Sequence, residues 1–480
     1  MFFGREELIE QLESLWGKSV SSLITCRGRR RVGKSTLIEE FANHSKSVFI
    51  KIEGRKPESK LSNEDELATF AKQLSKQTKF KEKKLADWSD AFAALSGQIH
   101  ERSRTVVLLD EVSWLAHYDE SFADYLKMAW DNDLKKHSRL VFVLCGSVST
   151  WIKDNIIGNS AYKGRRSLDL VVPELPLKEC VKFWGKQVKR LATREIIDVL
   201  SVTGGIPRYL EEINPRLSAE ENIRRLCYLP KSVLREDFDE MFLDVITQKP
   251  KFTAKVLRCL IDGPNSCTEV NKKLKIGKGG NVSRALKTLE EAGLVAPECK
   301  IDPETGEPIR EIRYRLKDNY ARFYLKFVEP HKGGIDDGSF KFTTLKQFDG
   351  IDAMMGLAFE NLVVNNYAEL VPHLRLTGSM IKSAGPYRRS ATKGPRGKKG
   401  CQVDLLIQTP KALCFVEVKR QKEIDKDVIK QVDAQVNAIP RKSCVSAKTA
   451  LVYDGELSPV VPADDYFDAI IPFRALLGID

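Results

Sequence analysis

The sequence lacks the features of membrane-spanning and secreted proteins. None of its apolar runs approaches the roughly 18 residues that a membrane helix requires. The first residues, 1–7, turn acidic where a secretion signal is basic and then apolar. The composition, 42% hydrophobic and 30% charged, is that of an ordinary globular protein and excludes a disordered or collagen-like chain. We therefore expect a cytoplasmic protein.

Metal-binding and disulfide patterns are also missing. The ten cysteines are scattered and include no Cys-x-x-Cys, and none of the six histidines lies within four residues of a cysteine. This spacing predicts reduced cysteines that serve mainly as small buried hydrophobic residues. The net charge of +12 permits a polyanionic partner without requiring one. At about 150 residues per domain, the length of 480 residues indicates three domains.

A phosphate-binding loop lies between a predicted strand, 20–26, and a predicted helix, 34–43. The loop fits G-x-x-x-x-G-K-[ST]. In such a loop, backbone N–H groups surround the phosphates, the lysine neutralises the β and γ oxygens, and the serine hydroxyl binds Mg²⁺. The alternative is a glycine-rich turn with an unrelated lysine. We predict an ATP and Mg²⁺ site whose loop residues are Gly28, Gly33, Lys34, Ser35 and Thr36.

Two later strands end in residues that suit the same site. The apolar run 105–109 leads into Asp110 and Glu111, which we predict to bind Mg²⁺ and to orient the hydrolytic water, respectively. A buried strand that simply ends at a surface carboxylate pair is the alternative. The run 139–145 leads to Ser147, a candidate for sensing the γ-phosphate. These strands alternate with helices, which predicts an α/β domain with a parallel sheet over residues 1–170.

Arg165 and Arg166 are candidate nucleotide-binding residues of a different kind. Either could act as an arginine finger, and a neighbouring subunit of a homo-oligomer would then complete the site. From spacing alone, two solvated arginines in a loop explain the pair equally well.

Five further motifs accompany the phosphate loop: Phe3-Gly-Arg-Glu6, Leu109-Asp-Glu111, Cys145-Gly-Ser147, Gly164-Arg-Arg166 and Thr203-Gly-Gly-Ile-Pro-Arg-Tyr209. In these motifs and their order, the first 330 residues resemble the archaeal and bacterial predicted ATPases of the AAA+/STAND type. The resemblance implies a P-loop ATPase core, a helical lid over 171–250 and a following winged helix. It also implies that Arg208 lies close to the nucleotide, although a structural arginine in a helix-initiating turn is an alternative.

Residues 251–318 have the pattern of a winged helix-turn-helix. Three predicted helices precede a strand, 309–316, and the turn 303–308 would form the wing. Such a module either docks in a DNA groove or packs against another part of the protein, and both readings stay open. The predicted helices are 252–262, 267–275 and 281–291, and the cations that cluster on the last two are Lys272, Lys273, Lys275, Lys278, Arg284 and Lys287.

The last predicted domain, 351–480, follows a predicted linker, 319–350, and carries a second set of acidic residues. Asp404 begins one predicted strand, and Glu417 and Lys419 share a face of the next. Two carboxylates there can hold Mg²⁺, and the lysine can position the attacking water for phosphodiester cleavage.

This segment resembles the restriction-endonuclease-like domain with the PD-(D/E)xK motif. The resemblance implies an α/β nuclease fold with metal ligands Glu360, Asp404 and Glu417 and catalytic residues Asp404, Glu417 and Lys419. Gln431 matches a further, looser position. Members that bind nucleic acid without cutting it are the alternative.

A basic segment, 381–400, leads into this candidate centre. It contains seven basic residues and no acidic ones. We predict a flexible arm that contacts DNA phosphates, against the alternative of a plain mobile loop.

Together these features predict an ATPase coupled to a Mg²⁺-dependent nuclease domain that acts on DNA. The first alternative is a nucleotide-switched binding or regulatory protein that cuts no strand. A weaker alternative is an ATPase whose C-terminal domain only mediates assembly.

Overall fold

The structure, a computed structural model, describes residues 2–147, 150–245, 250–277, 279–391 and 400–479. Within these ranges the side chains of residues 147, 150, 239, 240 and 243–245 are outside the description. The chain divides into two compact units, Met1–Leu175 and Pro176–Asp480. In the described ranges, every helix is too short or too polar to cross a membrane.

The first unit is built on five parallel strands, as the alternation of apolar runs and helices predicts. The order across the sheet is β2-β3-β4-β1-β5, so β4 lies between β1 and β3. All six residues of β3 are buried, which is typical of a parallel strand covered on both faces. The strands are β1 (Ser22–Gly28), β2 (Val48–Glu53), β3 (Thr105–Asp110), β4 (Leu140–Ser147) and β5 (Arg166–Val171).

In the described residues of the first unit, seven α-helices accompany this sheet. An aromatic cluster packs two of them together in the core: the Trp88 and Phe122 rings meet edge to face with centroids 4.7 Å apart. The α/β prediction for this part of the chain is confirmed. The helices are α1 (Glu6–Glu13), α2 (Lys34–His44), α3 (Asn63–Gln77), α4 (Trp88–Ser96), α5 (Val112–Leu115), α6 (Phe122–Asn132) and α7 (Thr150–Ile152).

The second unit begins with the helical stretch that the sequence predicts for 171–250. Its core is aromatic: Tyr209 is fully buried and packs edge to face with Tyr320. The helices are α8 (Leu177–Cys180), α9 (Thr193–Thr203), α10 (Pro207–Leu210), α11 (Ala219–Cys227) and α12 (Val233–Val245).

Three helices and a small antiparallel sheet follow. Ser266 and Glu269 form a capping box at the start of the second helix. The sheet order is β6-β8-β7, and the last strand begins at Arg313, so the strand predicted from residue 309 is shorter than expected. The elements are α13 (Pro250–Arg258), β6 (Asn265–Ser266), α14 (Cys267–Lys273), α15 (Gly280–Glu291), β7 (Val295–Pro297) and β8 (Arg313–Leu316).

The predicted linker, 319–350, is wrong for most of its length. It contains α16 (Asn319–Phe323) and α17 (Lys332–Asp336), and the Tyr320 side chain is fully buried. Further along, the Phe348 ring stacks on that of Tyr228 at a centroid distance of 5.2 Å. Most aromatic residues of the segment are core residues and bury a large apolar surface, whereas Phe342 is exposed.

The chain ends in a mixed five-stranded sheet flanked by helices. The order is β13-β12-β11-β10-β9. Strand β10 is antiparallel to both of its neighbours, β9 and β11, whereas β11, β12 and β13 run parallel to one another. The strands are β9 (Ser383–Arg389), β10 (Cys401–Gln408), β11 (Ala412–Ile424), β12 (Ser446–Leu457) and β13 (Ala469–Pro472). The helices are α18 (Ile351–Asn365), α19 (Tyr367–Leu370), α20 (Asp427–Ala438), α21 (Val460–Ala463) and α22 (Phe473–Leu476).

The flexible basic arm predicted for 381–400 is wrong in its first half. Residues 383–389 form β9, and the Tyr387 side chain is buried in the hydrophobic core of this sheet. Arg388 is held by the Glu298 carboxylate at 3.1 Å and by the Gln402 amide oxygen at 2.9 Å. Residues 392–399, which carry the other four cations, lie outside the described residues.

Candidate functional site

The phosphate loop joins the end of β1 to the start of α2, as predicted. A Cβ atom on Gly28 would lie 2.4 Å from the carbonyl oxygen of Val172, so only glycine fits there. Gly33 has a φ of +83°, a left-handed conformation that favours glycine, and α2 begins at the next residue. The backbone N–H groups at the start of α2 therefore face the loop.

Lys34 is buried in this loop. Its side chain is only 6% exposed, and its Nζ has the Arg29 carbonyl oxygen as a partner at 3.4 Å. The described chain places no carboxylate within ion-pair distance of it. A buried ammonium without a counter-ion suits an anionic ligand. Ser35 and Thr36 follow in the first turn of α2, half-buried and exposed respectively.

Arg5 is a loop contact that sequence reasoning did not assign. Its guanidinium donates to the Val32 carbonyl at 2.6 Å and to the Pro173 carbonyl at 3.0 Å. It therefore ties the loop to the chain after β5. The Phe3-Gly-Arg-Glu6 motif, which contains Arg5, is the sequence signal that points to this residue.

Asp110 and Glu111 lie at the carboxyl end of β3, at the same edge of the sheet as the loop. Asp110 is buried, and its Oδ2 lies 3.1 Å from the Nζ of Lys51 on β2. Glu111 has a left-handed φ of 47°, a strained conformation that fixes the direction of the chain after the strand. Sequence reasoning did not identify Lys51 as a site residue. A lysine inside the apolar run 48–52 could have indicated it.

Ser147 ends β4, and its backbone pairs with Gly28. This register places the predicted sensor position beside the phosphate loop. Its side chain lies outside the described residues, so the predicted γ-phosphate contact stays a prediction.

Arg165 and Arg166 do not join the nucleotide site of their own chain. Arg166 begins β5 and pairs with Leu23, whereas the loop starts five residues later on β1, about 16 Å away at 3.3 Å per residue. The Arg165 guanidinium forms two hydrogen bonds of 2.8 Å with Asp131. Arg165 is engaged in this ion pair, so the alternative of two solvated arginines does not describe it. A role as an arginine finger toward a neighbouring subunit stays a prediction.

Arg208 lies in α10, in the second unit. Its guanidinium is 2.5 Å from a Glu212 carboxylate oxygen and 3.7 Å from one of Glu211. These local ion pairs agree with the structural alternative, and a place near the nucleotide stays a prediction.

The second candidate site lies where β10 and β11 run antiparallel. The pairing of Leu405 with Val416 brings Asp404 beside the Glu417–Lys419 segment, as the hairpin prediction requires. An Asp404 carboxylate oxygen accepts a hydrogen bond of 3.0 Å from the Val418 backbone. Burial, and then the neighbouring carboxylates of Glu417 and Glu360, raise the pKa of Asp404 to about 8.

Glu417 is the most enclosed member of this centre, at 1% exposure. Its Oε1 lies 2.6 Å from the Lys419 Nζ and accepts a hydrogen bond of 2.6 Å from the Gln431 amide. Its Oε2 accepts one of 2.8 Å from the Gln435 amide. Lys419 in turn donates to the Gln431 oxygen at 3.0 Å. Gln435 was not predicted; it lies one helical turn after Gln431 on α20, so the spacing could have revealed it.

Glu360, on α18, faces the same centre. Burial and then the Glu417 charge raise its pKa, against the opposing influence of Arg388. In the described ranges, no three Asp, Glu, His or Cys side chains are arranged to hold a metal ion. The predicted ligands Glu360, Asp404 and Glu417 are therefore neighbours that do not form a ready metal site. Both carboxylate oxygens of Glu417 already accept hydrogen bonds from amide groups.

The cations predicted for the three-helix segment are at its surface. Five of the six are exposed, and Lys273 also donates to the Cys259 carbonyl at 3.1 Å. The sixth, Lys278, lies outside the described residues. The exposed cations are Lys272, Lys273, Lys275, Arg284 and Lys287.

The turn between β7 and β8 contacts the C-terminal sheet, because the Cys299 N–H donates to the Pro386 carbonyl at 2.9 Å.

Comparison with known proteins places the phosphate loop in a wider group. Residues 2–213 match the family model described as an ATPase domain predominantly from Archaea. The uncharacterized protein MJECL04 of Methanocaldococcus jannaschii is 24% identical over 433 residues, which cover 90% of each chain. The uncharacterized ATP-binding protein MJ0423 of the same organism is 46% identical over 46 residues, 10% of this chain and 78% of that protein.

A solved structure is similar in fold. The Walker-type ATPase paby2304 of Pyrococcus abyssi superposes with a TM-score of 0.52 at 17% identity, over 68% of this chain and 96% of that one. At this identity the likeness concerns the fold alone.

Proposed function

We propose that the chain, whose residues 2–213 match a family model of archaeal ATPase domains, is a P-loop ATPase whose C-terminal domain is a Mg²⁺-dependent nuclease that acts on DNA. The observation that carries the proposal is the contact of Glu417 with Lys419, beside Asp404 on the neighbouring strand. Buried charges inside a strand are costly unless they are paired or coordinate a metal.

ATP hydrolysis would use the loop and the carboxyl ends of β3 and β4. The start of α2 and the buried Lys34 bind the β and γ phosphates. Glu111 orients the attacking water, in a direction fixed by its left-handed backbone. Ser35 and the buried Asp110 fit a Mg²⁺ ion, which would neutralise charge on the triphosphate.

The domain assignments follow from the order of elements. We assign 1–170 to the ATPase core, 171–250 to a helical lid and 251–318 to a winged helix-turn-helix, whose three helices and three short antiparallel strands support the assignment. Residues 351–480 are the nuclease-like domain.

In the nuclease-like domain, Lys419 would hold and orient the water that attacks the phosphodiester. Its Nζ is fixed by Glu417 and Gln431, so little freedom is lost when the water binds. The donor set suits a divalent cation, because the carboxylates of Asp404 and Glu360 are buried together and their pKa values are raised. Mg²⁺ held by these two and Glu417 would stabilise negative charge on the phosphate.

Cleavage of DNA tests this proposal. Plasmid, single-stranded and branched DNA are incubated with the protein while Mg²⁺ and ATP are varied independently. We expect Mg²⁺-dependent cleavage that falls about 100-fold or more in Glu417→Ala and Lys419→Ala. Lys422→Ala is the matched control, since Lys422 is exposed on the same strand. Cleavage that survives in both site variants would contradict the site assignment.

ATP turnover is tested separately. Lys34→Ala should lower ATP binding or turnover about 100-fold, because it removes the buried ammonium that would neutralise the β and γ phosphate oxygens. Lys18→Ala, an exposed lysine in the same unit, should leave turnover unchanged. Unchanged hydrolysis in Lys34→Ala would overturn the role of the loop.

A second candidate function is an ATP-switched DNA-binding or regulatory protein. The observation that favours it is the engagement of both Glu417 oxygens by Gln431 and Gln435, which a metal would have to displace in part. Absence of cleavage with Mg²⁺ or Mn²⁺, together with DNA binding that depends on the bound nucleotide, would select it.

A further inference from the structure

A recess opens beside the Asp404–Glu360 pair. Its lining comes from two parts of the second unit. Asp404 and Glu360 contribute from the C-terminal domain, and Arg315, Arg322 and the buried carboxylate of Glu298 contribute from the part of the chain before it. The recess therefore brings buried cations next to the carboxylates of the proposed nuclease centre.

Arg322 is the cation with the least compensation. It is 3% exposed, and its guanidinium donates to the carbonyls of Ile261 and Leu316, the latter at 2.7 Å. Its Nε has no acceptor among the described residues. Burial lowers its pKa to about 10, so it remains charged at neutral pH. A buried guanidinium that binds only backbone carbonyls is costly, and a bound anion would offset part of that cost.

Arg388 connects this recess to the surface. It lines the recess and also an open groove, where Arg313 and Arg389 lie beside it. The groove and the recess are together lined by five arginines, which extend from solvent to Asp404. Rows of cations of this kind follow the phosphates of a nucleic-acid strand.

We propose that the recess is a phosphate-binding subsite for a single nucleic-acid strand that enters over the groove, with Arg322 and Arg388 as its phosphate contacts. The proposal deepens the proposed nuclease function and rests on it for the identity of the substrate. The recess is bounded by α16, α18, β8, β9 and β10, which exclude a duplex from its interior. The phosphate is either the terminal group of a strand end or an internal phosphodiester.

Binding without metal tests the subsite independently of cleavage. Fluorescence anisotropy with EDTA measures the affinity of the full-length protein for labelled single-stranded DNA. We expect about tenfold weaker binding for Arg322→Gln and for Arg388→Gln, because each loses a charge-assisted hydrogen bond to phosphate. Arg375→Gln, an exposed arginine that lines neither surface, is the control and should bind as the unaltered protein does. Unchanged affinity in both variants would overturn the proposal.

Further comparisons identify which phosphate binds and distinguish a failure of the subsite from a failure of the proposed nuclease. Strands with a 5′-phosphate, a 3′-phosphate or no terminal phosphate are compared: a preference that disappears in Arg322→Gln identifies a terminal group, and an equal loss for all three identifies an internal one. If Arg322→Gln unfolds on heating before assay, Arg388→Gln decides. Tighter binding of blunt duplex than of single strand would overturn the subsite. Arginine-dependent binding without any cleavage would keep the subsite and remove the nuclease.

Discussion

Arg420 forms an ion pair with Asp198, a residue 222 positions earlier in the chain. Arg420 directly follows Lys419 on β11, and Asp198 lies in α9, within the stretch assigned as the lid. The Arg420 guanidinium also lies 3.8 Å from Asp454 on β12. Burial raises the pKa of both carboxyls against the opposing influence of Arg420. The strand of the candidate nuclease centre is therefore tied to a helix of the preceding domain.

Removal of this arginine should destabilise the second unit. Arg420→Met leaves two largely buried carboxylates without their cation, and we expect a loss of about 3 kcal/mol in the free energy of unfolding. Combining it with Asp198→Asn should cost less than the sum of the two single changes. Urea denaturation of the four proteins measures the coupling. Lys430→Met, which breaks an exposed pair with Asp427, is the control and should change little; additive losses would show that Arg420 and Asp198 act independently.

The sequence predicted those elements whose pattern lies within one short segment of the chain. The phosphate loop, the strand before it and the Asp110 strand follow from a motif and from apolar runs. The juxtaposition of Asp404 with Glu417 followed from alternation along two neighbouring strands, because side chains two residues apart share a face. These predictions needed no knowledge of distant contacts.

The differences concern residues whose partners are distant in sequence. No local pattern shows that Arg165 pairs with Asp131 on α6, 34 residues earlier. The linker predicted for 319–350 contains helices instead, since no local pattern shows that Tyr320 packs on Tyr209. The strand at 383–389 was not predicted, because its basic residues indicate an exposed loop. In the structure Arg388 instead binds Glu298, a residue of the preceding domain.

Gly28→Ala tests the close approach at the phosphate loop. The added methyl group would meet the Val172 carbonyl oxygen at 2.4 Å, and backbone atoms of two paired segments would have to shift. We expect a loss of about 1–3 kcal/mol in unfolding free energy, together with weaker ATP binding. Gly17→Ala is the matched control, because the structure places no atom within 4 Å of its added Cβ. Thermal melts and nucleotide titration measure both effects, and equal behaviour of the two variants would contradict the steric argument.

The Asp131–Arg165 pair should make a pH-dependent contribution to stability. The hydrogen bonds from Arg165 lower the pKa of Asp131 from 3.8 to about 2. Because the folded pKa is depressed, the stabilisation is present above pH 3.8 and is lost as the pH falls through about 2. Asp131→Asn should therefore lower the melting temperature modestly at pH 7, and the difference should vanish in strong acid.

The same pair separates a structural role from an arginine finger. Arg165→Ala should lower the melting temperature as Asp131→Asn does, while ATP turnover per active site remains unchanged. A loss of turnover in Arg165→Ala that is absent in Asp131→Asn would instead show that the arginine completes the site of a neighbouring subunit.

Asp404 should have the opposite pH dependence. Its folded pKa, about 8, is raised above the ordinary 3.8 by burial and by the Glu417 and Glu360 charges. The folded state therefore binds the proton more tightly, so its stability falls as the pH rises from 3.8 to about 8 and then stays level. Asp404→Asn removes this cost, and without metal its melting temperature should exceed that of the unaltered protein by a few degrees at pH 8.5 but not at pH 4.

Mg²⁺ should reverse the comparison at pH 8.5. A cation that binds the carboxylates stabilises only the folded state, so the melting temperature of the unaltered protein should rise with Mg²⁺ concentration. The rise should be lost in Asp404→Asn and kept in Asp464→Asn, which changes an exposed carboxylate of the same domain. Because ATP also binds Mg²⁺, the melts are made without nucleotide. An equal rise in Asp404→Asn would show that the metal binds elsewhere, and the carboxylate pair would then owe its raised pKa to burial without serving a cation.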